Sequence, residues 1–146
     1  MENQLKYSLI DLNMSVNQIR GSWVQLAKKY NINYHEMLVL YHVYCNGRCT
    51  QKQICEDHLL PKQTVNNIVT ALKTEGRIEL QAAIGNKKKK VLVLTPAGEE
   101  YIATLVVSMK SVEEIMQEKI GAENLQLLTD LLAEYGDIIK EVIAAD

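Results

Sequence analysis

Residues 50–98, TQKQICEDHLLPKQTVNNIVTALKTEGRIELQAAIGNKKKKVLVLTPAG, decide the fold. Thr50 followed three positions on by Gln53 is a capping-box pattern, in which each side chain satisfies a backbone donor at the start of a helix. A short helix should begin there, turn Ile54 and Cys55 inward and end near His58. Leu59-Leu60-Pro61 then makes a turn. From Lys62 to Thr74, Val65, Ile68, Val69 and Leu72 fall on one face of a second helix, which Gly76 stops. Two short helices with a tight link predict a helix-turn-helix. Beyond them Ile78, Leu80, Ala82 and Ile84 alternate with polar or small residues, and Val91-Leu92-Val93-Leu94 reads as a returning strand. Between the two lies Gly85-Asn86-Lys87-Lys88-Lys89-Lys90, so the hairpin carries a basic tip. Thr95-Pro96 opens the next helix, with Thr as N-cap and Pro at the first helical position.

Outward from this stretch the chain is helical. Leu5, Leu9, Leu12, Val16, Ile19, Trp23 and Leu26 step by three and four, the stripe of a long amphipathic helix. Asn33 with Glu36 repeats the capping-box pattern for a helix reaching about Tyr44, which Asn46-Gly47 closes, and Arg48-Cys49 continues as a short extended piece. The helix opened by Pro96 should run to about Ile120. After Gly121, Leu125, Leu128, Leu132, Tyr135, Ile139 and Val142 mark a last helix with the same stepping. The terminal stripes must be covered, either by a second copy of the chain or by each other within one copy. Leaving them in water costs about 25 cal/mol per Å² of apolar area.

Composition agrees. The 146 residues, 47% apolar and 23% charged, suit one mainly α domain, and 7 Gly, 2 Pro and no Phe argue against a turn-dense β fold. No apolar run reaches the roughly 18 residues that span a bilayer, and the first residues lack the pattern of a secretory signal, so a cytoplasmic protein without membrane contact is expected. Three cysteines within eleven positions, an odd number, point to reduced thiols. The net charge of -2 is unevenly spread: residues 1–47 carry +1, residues 48–90 carry +5 and residues 91–146 carry -8. A basic middle beside an acidic end suggests that one part meets an anion while the other stays clear of it. Ordinary solvated helix faces would give the same totals.

On the helix from Lys62, a turn of 100° per residue puts Gln63, Asn67 and Thr70 opposite the apolar face, flanked by Asn66, with Lys62 at the N-terminal end. Amides of this kind bond an adenine edge in a major groove, and Lys reaches a guanine or a phosphate. Any solvated helix face is polar, so the face alone does not decide. Lys87, Lys88, Lys89 and Lys90 have no acidic neighbour within the tip, and a polyanion would relieve their repulsion. A solvated run of lysines is the plain alternative. Helix, turn, outward-polar helix and basic hairpin in this order form the layout of a winged helix, in which one helix enters the major groove and the wing follows the backbone.

The chain resembles the MarR family of bacterial transcriptional regulators over nearly its whole length. The resemblance is carried by Thr50-Gln51-Lys52-Gln53-Ile54, Leu60-Pro61-Lys62-Gln63-Thr64-Val65-Asn66, Leu72-Lys73-Thr74-Glu75-Gly76-Arg77-Ile78 and Leu94-Thr95-Pro96-Ala97-Gly98. It implies a single MarR-type domain over 1–146, with a winged DNA-binding lobe over 33–94 and dimerisation helices over 1–30 and 96–146. It further implies a homodimer on a pseudopalindromic operator in double-stranded DNA, acting as a repressor, with Thr50, Gln51 and Thr64 beside the residues named above. Release by a small phenolic or other effector is implied too, in a pocket to which Trp23, Tyr30, Tyr34 and Tyr41 could contribute. One departure stands out. Where the family's wing usually carries Asp-x-Arg, this chain has Asn86, Lys87 and Lys88, which shifts weight from shape reading by a planar guanidinium toward phosphate attraction.

His42, Cys45, Cys49, Cys55 and His58 hold enough soft ligands for a zinc site or thiol sensor, but their spacing matches no recognised zinc pattern. Cys45 and Cys55 are expected to fill small buried positions. Neither a phosphate loop, a nucleophile elbow nor paired carboxylates supports an enzyme, and no cofactor or metal is expected. The rival reading is a metal- or thiol-dependent helical sensor or enzyme that does not bind DNA.

Overall fold

The computed structural model describes residues 9–145. Its elements in chain order are α1 (Leu9–Lys29), α2 (Tyr34–Asn46), α3 (Gln51–His58), α4 (Lys62–Thr74), β1 (Ile78–Ala83), β2 (Asn86–Leu94), α5 (Pro96–Ile120) and α6 (Ala122–Ala145). They fall into two compact units, Met1–Leu105 and Val106–Asp146, divided within α5. The expected start of the first stripe, Leu5, lies outside the described residues.

In the first unit the core gathers Met37, Val39, Leu40 and Val43 of α2, Ile54 of α3, and Val65, Val69 and Leu72 of α4, all but excluded from water. Asn33 caps α2 as expected, its Oδ1 accepting from the backbone N–H groups of His35 and Glu36 at 2.9 and 3.4 Å. The reciprocal half of that capping box does not form. Glu36 instead turns its carboxylate to Arg77 and Tyr101, charged and phenolic partners that outcompete one backbone amide. The helix also runs two residues past Tyr44, to Asn46, before Gly47 takes φ +70° and returns its N–H to the Val43 carbonyl.

At α3 the capping box is complete: Thr50 Oγ1 accepts from Gln53 N at 3.1 Å, and Thr50 N donates to Gln53 Oε1 at 2.8 Å. The helix ends at His58, and Leu59 turns the chain in the left-handed region, φ 49°. Among the expected inward residues Ile54 is buried, while Cys55 is half-buried. The prediction for the cysteines needs correcting, because Cys45 is exposed and Cys49 is the buried one. Cys49 sits in the extended piece beside β2, exchanging backbone hydrogen bonds with Leu92 at 2.7 and 3.3 Å and so laying a one-residue bridge along the free edge of the hairpin.

The hairpin differs from expectation at its tip. The returning strand begins at Asn86 rather than Val91, and Ile84 leaves the alternation to sit exposed in the turn. Gly85, at φ +77°, closes a two-residue turn, which places Asn86 opposite Ala83. The next pair is Ala82 with Lys90, so residues 87–89 bulge from the ladder. Asn86 Oδ1 holds this bulge by accepting from the Lys88 and Lys89 amides at 3.1 and 3.3 Å.

The start of α5 is tied to the end of the helix-turn-helix. Thr95 Oγ1 donates to the Gly76 carbonyl at 2.6 Å and accepts from Gly98 N at 3.1 Å, while Thr95 N donates to the Arg77 carbonyl at 3.1 Å. Gly98 lies against that Arg77 carbonyl so closely that a Cβ would fall on its oxygen.

The second unit comprises the rest of α5 and α6, joined at Gly121, which takes φ +88°. No residue of α6 is buried, and Leu128, Ile138, Ile139 and Val142 stand exposed. In the first unit α1 likewise buries only Ala27, and Leu9, Ile10, Leu12 and Ile19 face solvent.

Candidate nucleic-acid interface

Helix α4 owes its seat to Val65, Val69 and Leu72, whose burial leaves Lys62, Gln63, Asn66, Asn67 and Thr70 exposed on the opposite side; Thr64 is half-buried. The polar face is ordered internally. Gln63 Nε2 donates to Asn67 Oδ1 at 2.8 Å, and Thr70 Oγ1 donates back to the Asn66 carbonyl at 2.8 Å. At the start of the helix Pro61 stands at the N-cap and supplies no side-chain hydrogen bond. The first N–H groups of α4 therefore lack a side-chain acceptor and lie beside Lys62, an arrangement that favours an anion.

Gln51 and Thr50 open α3 and are half-buried, with the Thr50 hydroxyl already engaged in the capping box. Lys87, Lys88, Lys89 and Lys90 are all exposed at the hairpin end, held outward by the Asn86 clasp. At the stem of the wing, Arg48 donates to Gln81 Oε1 at 2.9 Å, and Gln81 donates to Glu79 at 2.7 Å. The predicted contact residues thus lie on α3, α4 and the hairpin of one compact unit.

Of the four aromatic residues expected at an effector pocket, Tyr34 borders a cavity of about 510 Å³ with Arg20, His35, Leu38, His58 and Pro61 among its walls. Trp23, Tyr30 and Tyr41 are half-buried elsewhere, Tyr41 stacking on Tyr44 at 6.2 Å between ring centres. A smaller cavity, about 220 Å³, has Asn67, Ile68 and Leu72 of α4 facing Asn33 and Glu36 of α2. Among the described residues no cluster of three or more His, Cys, Asp or Glu is arranged to hold a metal ion. Burial, aided by the negative charge of Asp57, pushes the Cys49 thiol up to about 11.

Two groupings are invisible to local patterns. The Arg77 guanidinium lies 3.3 Å from the Tyr101 ring centre, pairs with Glu75 at 2.7 Å and reaches Glu36 at 3.8 Å, while Tyr101 donates to the same Glu36 at 3.2 Å. This knot joins the start of α2 and the end of α4 to the start of α5. In the other, His42 Nδ1 meets His58 Nε2 at 2.9 Å across α2 and α3. The long-range contacts in both join residues far apart in sequence; the sequence groups His42 and His58 only as possible soft ligands, and no spacing announces that their rings meet.

A helix-turn-helix followed by a two-stranded basic wing defines a winged-helix protein. Residues 30–89 match the sequence model of the MarR family. The chain is 26% identical over 131 residues to the HTH-type transcriptional regulator Hpr of Bacillus licheniformis, covering 88% of this chain and 63% of that relative. It thus spans just over six-tenths of the relative's length. Among solved structures, NMB1585, a MarR family regulator from Neisseria meningitidis, superposes with a TM-score of 0.83 at 29% identity, covering 93% of this chain and 96% of the other. NadR in complex with 4-hydroxyphenylacetate shares the fold, with a TM-score of 0.73 at 22% identity over 92% of this chain and 97% of the other. Over residues 30–89 the chain is thus similar to the MarR family, and its winged-helix fold is that of a MarR family regulator.

Proposed function

We infer that this chain is a sequence-specific double-stranded DNA-binding transcriptional regulator that works as a homodimer on a pseudopalindromic operator, as a repressor, in the cytoplasm. One observation carries the reading: a single compact unit presents the amide-rich face of α4 and four lysines on the wing, with no acidic side chain among residues 62–74 or 84–94. Lys62, Gln63, Asn66, Asn67 and Thr70 read base edges, Thr64 and Gln51 with Thr50 support the backbone approach, and Lys87 to Lys90 neutralise phosphates. The exposed apolar faces of α1 and α6 support association of two copies, with residues 1–30 and 96–146 as the dimerising parts and 33–94 as the reading lobe of one functional domain. Small effectors have a candidate site in the cavity beside Tyr34, where Arg20 and His35 suit an anionic group and Leu38 and Pro61 an apolar body. The named ligand of NadR, a phenolic carboxylate, is of that chemical kind.

The test is binding to a duplex from the region upstream of its own coding sequence, measured at two salt concentrations beside a scrambled duplex of equal length. Preferential binding that weakens with salt is expected; equal affinity for both duplexes, or indifference to salt, would overturn the reading.

A further inference from the structure

We propose that the His42–His58 pair is a proton-operated catch on the helix-turn-helix, which holds with one added proton and is forced open by the second, weakening DNA binding in mild acid. The proposal rests on the DNA-binding reading above. His42 Nδ1 and His58 Nε2 face each other at 2.9 Å, with the rings edge to face at 77°. That gap accommodates one proton, donated by either ring and accepted by the other. In the uncharged pair one N–H···N bond is made. A first added proton leaves the bond in place, because one ring still offers a lone pair. A second places N–H groups on both facing nitrogens, so the bond is lost and two cations are pressed together.

The surroundings order these two steps. Asp57 Oδ2 lies 3.7 Å from the other nitrogen of His42. His42 is nearly enclosed, at 10% side-chain exposure. Burial and the charge of His42 hold His58 below the ordinary histidine value of 6.5, with Asp57 opposing them. The other charged or titratable groups on the cavity that His58 borders are Arg20 of α1 and Tyr34 and His35 of α2, and the Arg20 guanidinium adds to the disfavour of a second positive charge. Mechanical consequence follows from position. His58 ends α3, Leu59 is fixed in the left-handed region, and only Leu60 and Pro61 separate it from Lys62 at the start of α4. A displaced His58 therefore moves the reading helix.

The experiment follows both imidazoles and the backbone amides of the full chain by NMR between pH 8 and pH 5, in the presence of EDTA to exclude metals. DNA affinity is read in parallel on the upstream duplex at constant ionic strength. Two linked histidine steps are expected, the lower one below pH 6.5, with amides of residues 62–74 shifting in that lower step. From pH 7.5 to 5.5 the affinity of the unmodified chain should fall about tenfold more than that of His58→Gln, which retains a donor to His42 but takes no proton. Independent titration of the two rings at the ordinary value, or α4 amides that ignore the lower step, would overturn the catch. Absence of DNA binding at pH 7.5 would sink the regulator reading instead, while the amide shifts still decide the coupling. Should His58→Gln fail to fold, the NMR titration of the unmodified chain alone decides whether the catch exists.

Discussion

Gln63 and Asn67, one helical turn apart on the exposed face of α4, are hydrogen-bonded to each other at 2.8 Å before any ligand arrives. Each amide fixes the direction of the other's remaining donor or acceptor, so the two form one rigid pattern, which on the proposed function meets a base edge. Gln63→Ala and Asn67→Ala should each cost roughly 1–3 kcal/mol of operator binding and relax discrimination between bases. Because the partners share a bond, the double variant should lose less than the sum of the single losses, as a double-mutant cycle by fluorescence anisotropy would measure. Strict additivity would show that they act separately.

The wing lysines should behave differently. Lys88→Ala should weaken specific and scrambled duplexes alike and lower the slope of log affinity against log salt by about one. Titrations at several salt concentrations check this, and a loss confined to one sequence would assign Lys88 to base reading.

Gly98 has no room for a side chain, since the Arg77 carbonyl occupies the place of a Cβ. Gly98→Ala should destabilise the fold by about 1–3 kcal/mol through the backbone shift it forces, read as a lower urea midpoint at unchanged slope. Gly136, with nothing near its would-be Cβ, is the control: Gly136→Ala should leave stability unchanged or raise it.

Acid should destabilise the folded chain through His58. Its proton affinity is lower in the folded state than in the unfolded chain, so the unfolded state binds more protons as pH falls past 6.5. Stability present above that pH is therefore lost below it, and thermal melting at pH 7.5 and pH 5.5 should show a smaller acid penalty for His58→Gln.

Two of the three thiols should separate cleanly. Cys45 is exposed, whereas Cys49 is buried and its thiol is held protonated at neutral pH. Native protein treated with a thiol reagent should be labelled at Cys45 and remain unlabelled at Cys49 until it unfolds, as peptide mapping would show.

Much of the reading lobe is legible in the sequence because its signals are local. The Thr50–Gln53 pair, the spacing of Val65, Val69 and Leu72, and Thr95-Pro96 each place an element without reference to distant residues. Local patterns mislead where a long-range partner or a backbone detail decides. Glu36 fits a capping box in sequence but is claimed by Arg77 and Tyr101, the latter 65 positions away. Ile84 fits a strand by alternation but precedes a glycine whose positive φ turns the chain first. The burial of Cys49 has no local signal because its covering, the bridge with Leu92, belongs to a hairpin far downstream. The histidine pair is hidden for the same reason: its two rings are sixteen residues apart and meet only when α3 packs on α2.

The bulge at residues 87–89 gives the wing a property that a regular hairpin would lack. Its extra residues hang outside the ladder on a clasp from Asn86, while Val91 to Val93 keep their places in the core. A residue gained or lost there alters how far the charged fingertip extends without disturbing the stem. On the proposed function, reach toward a nucleic acid can therefore drift in evolution, or be adjusted by design, with little effect on the stability of the body that carries it.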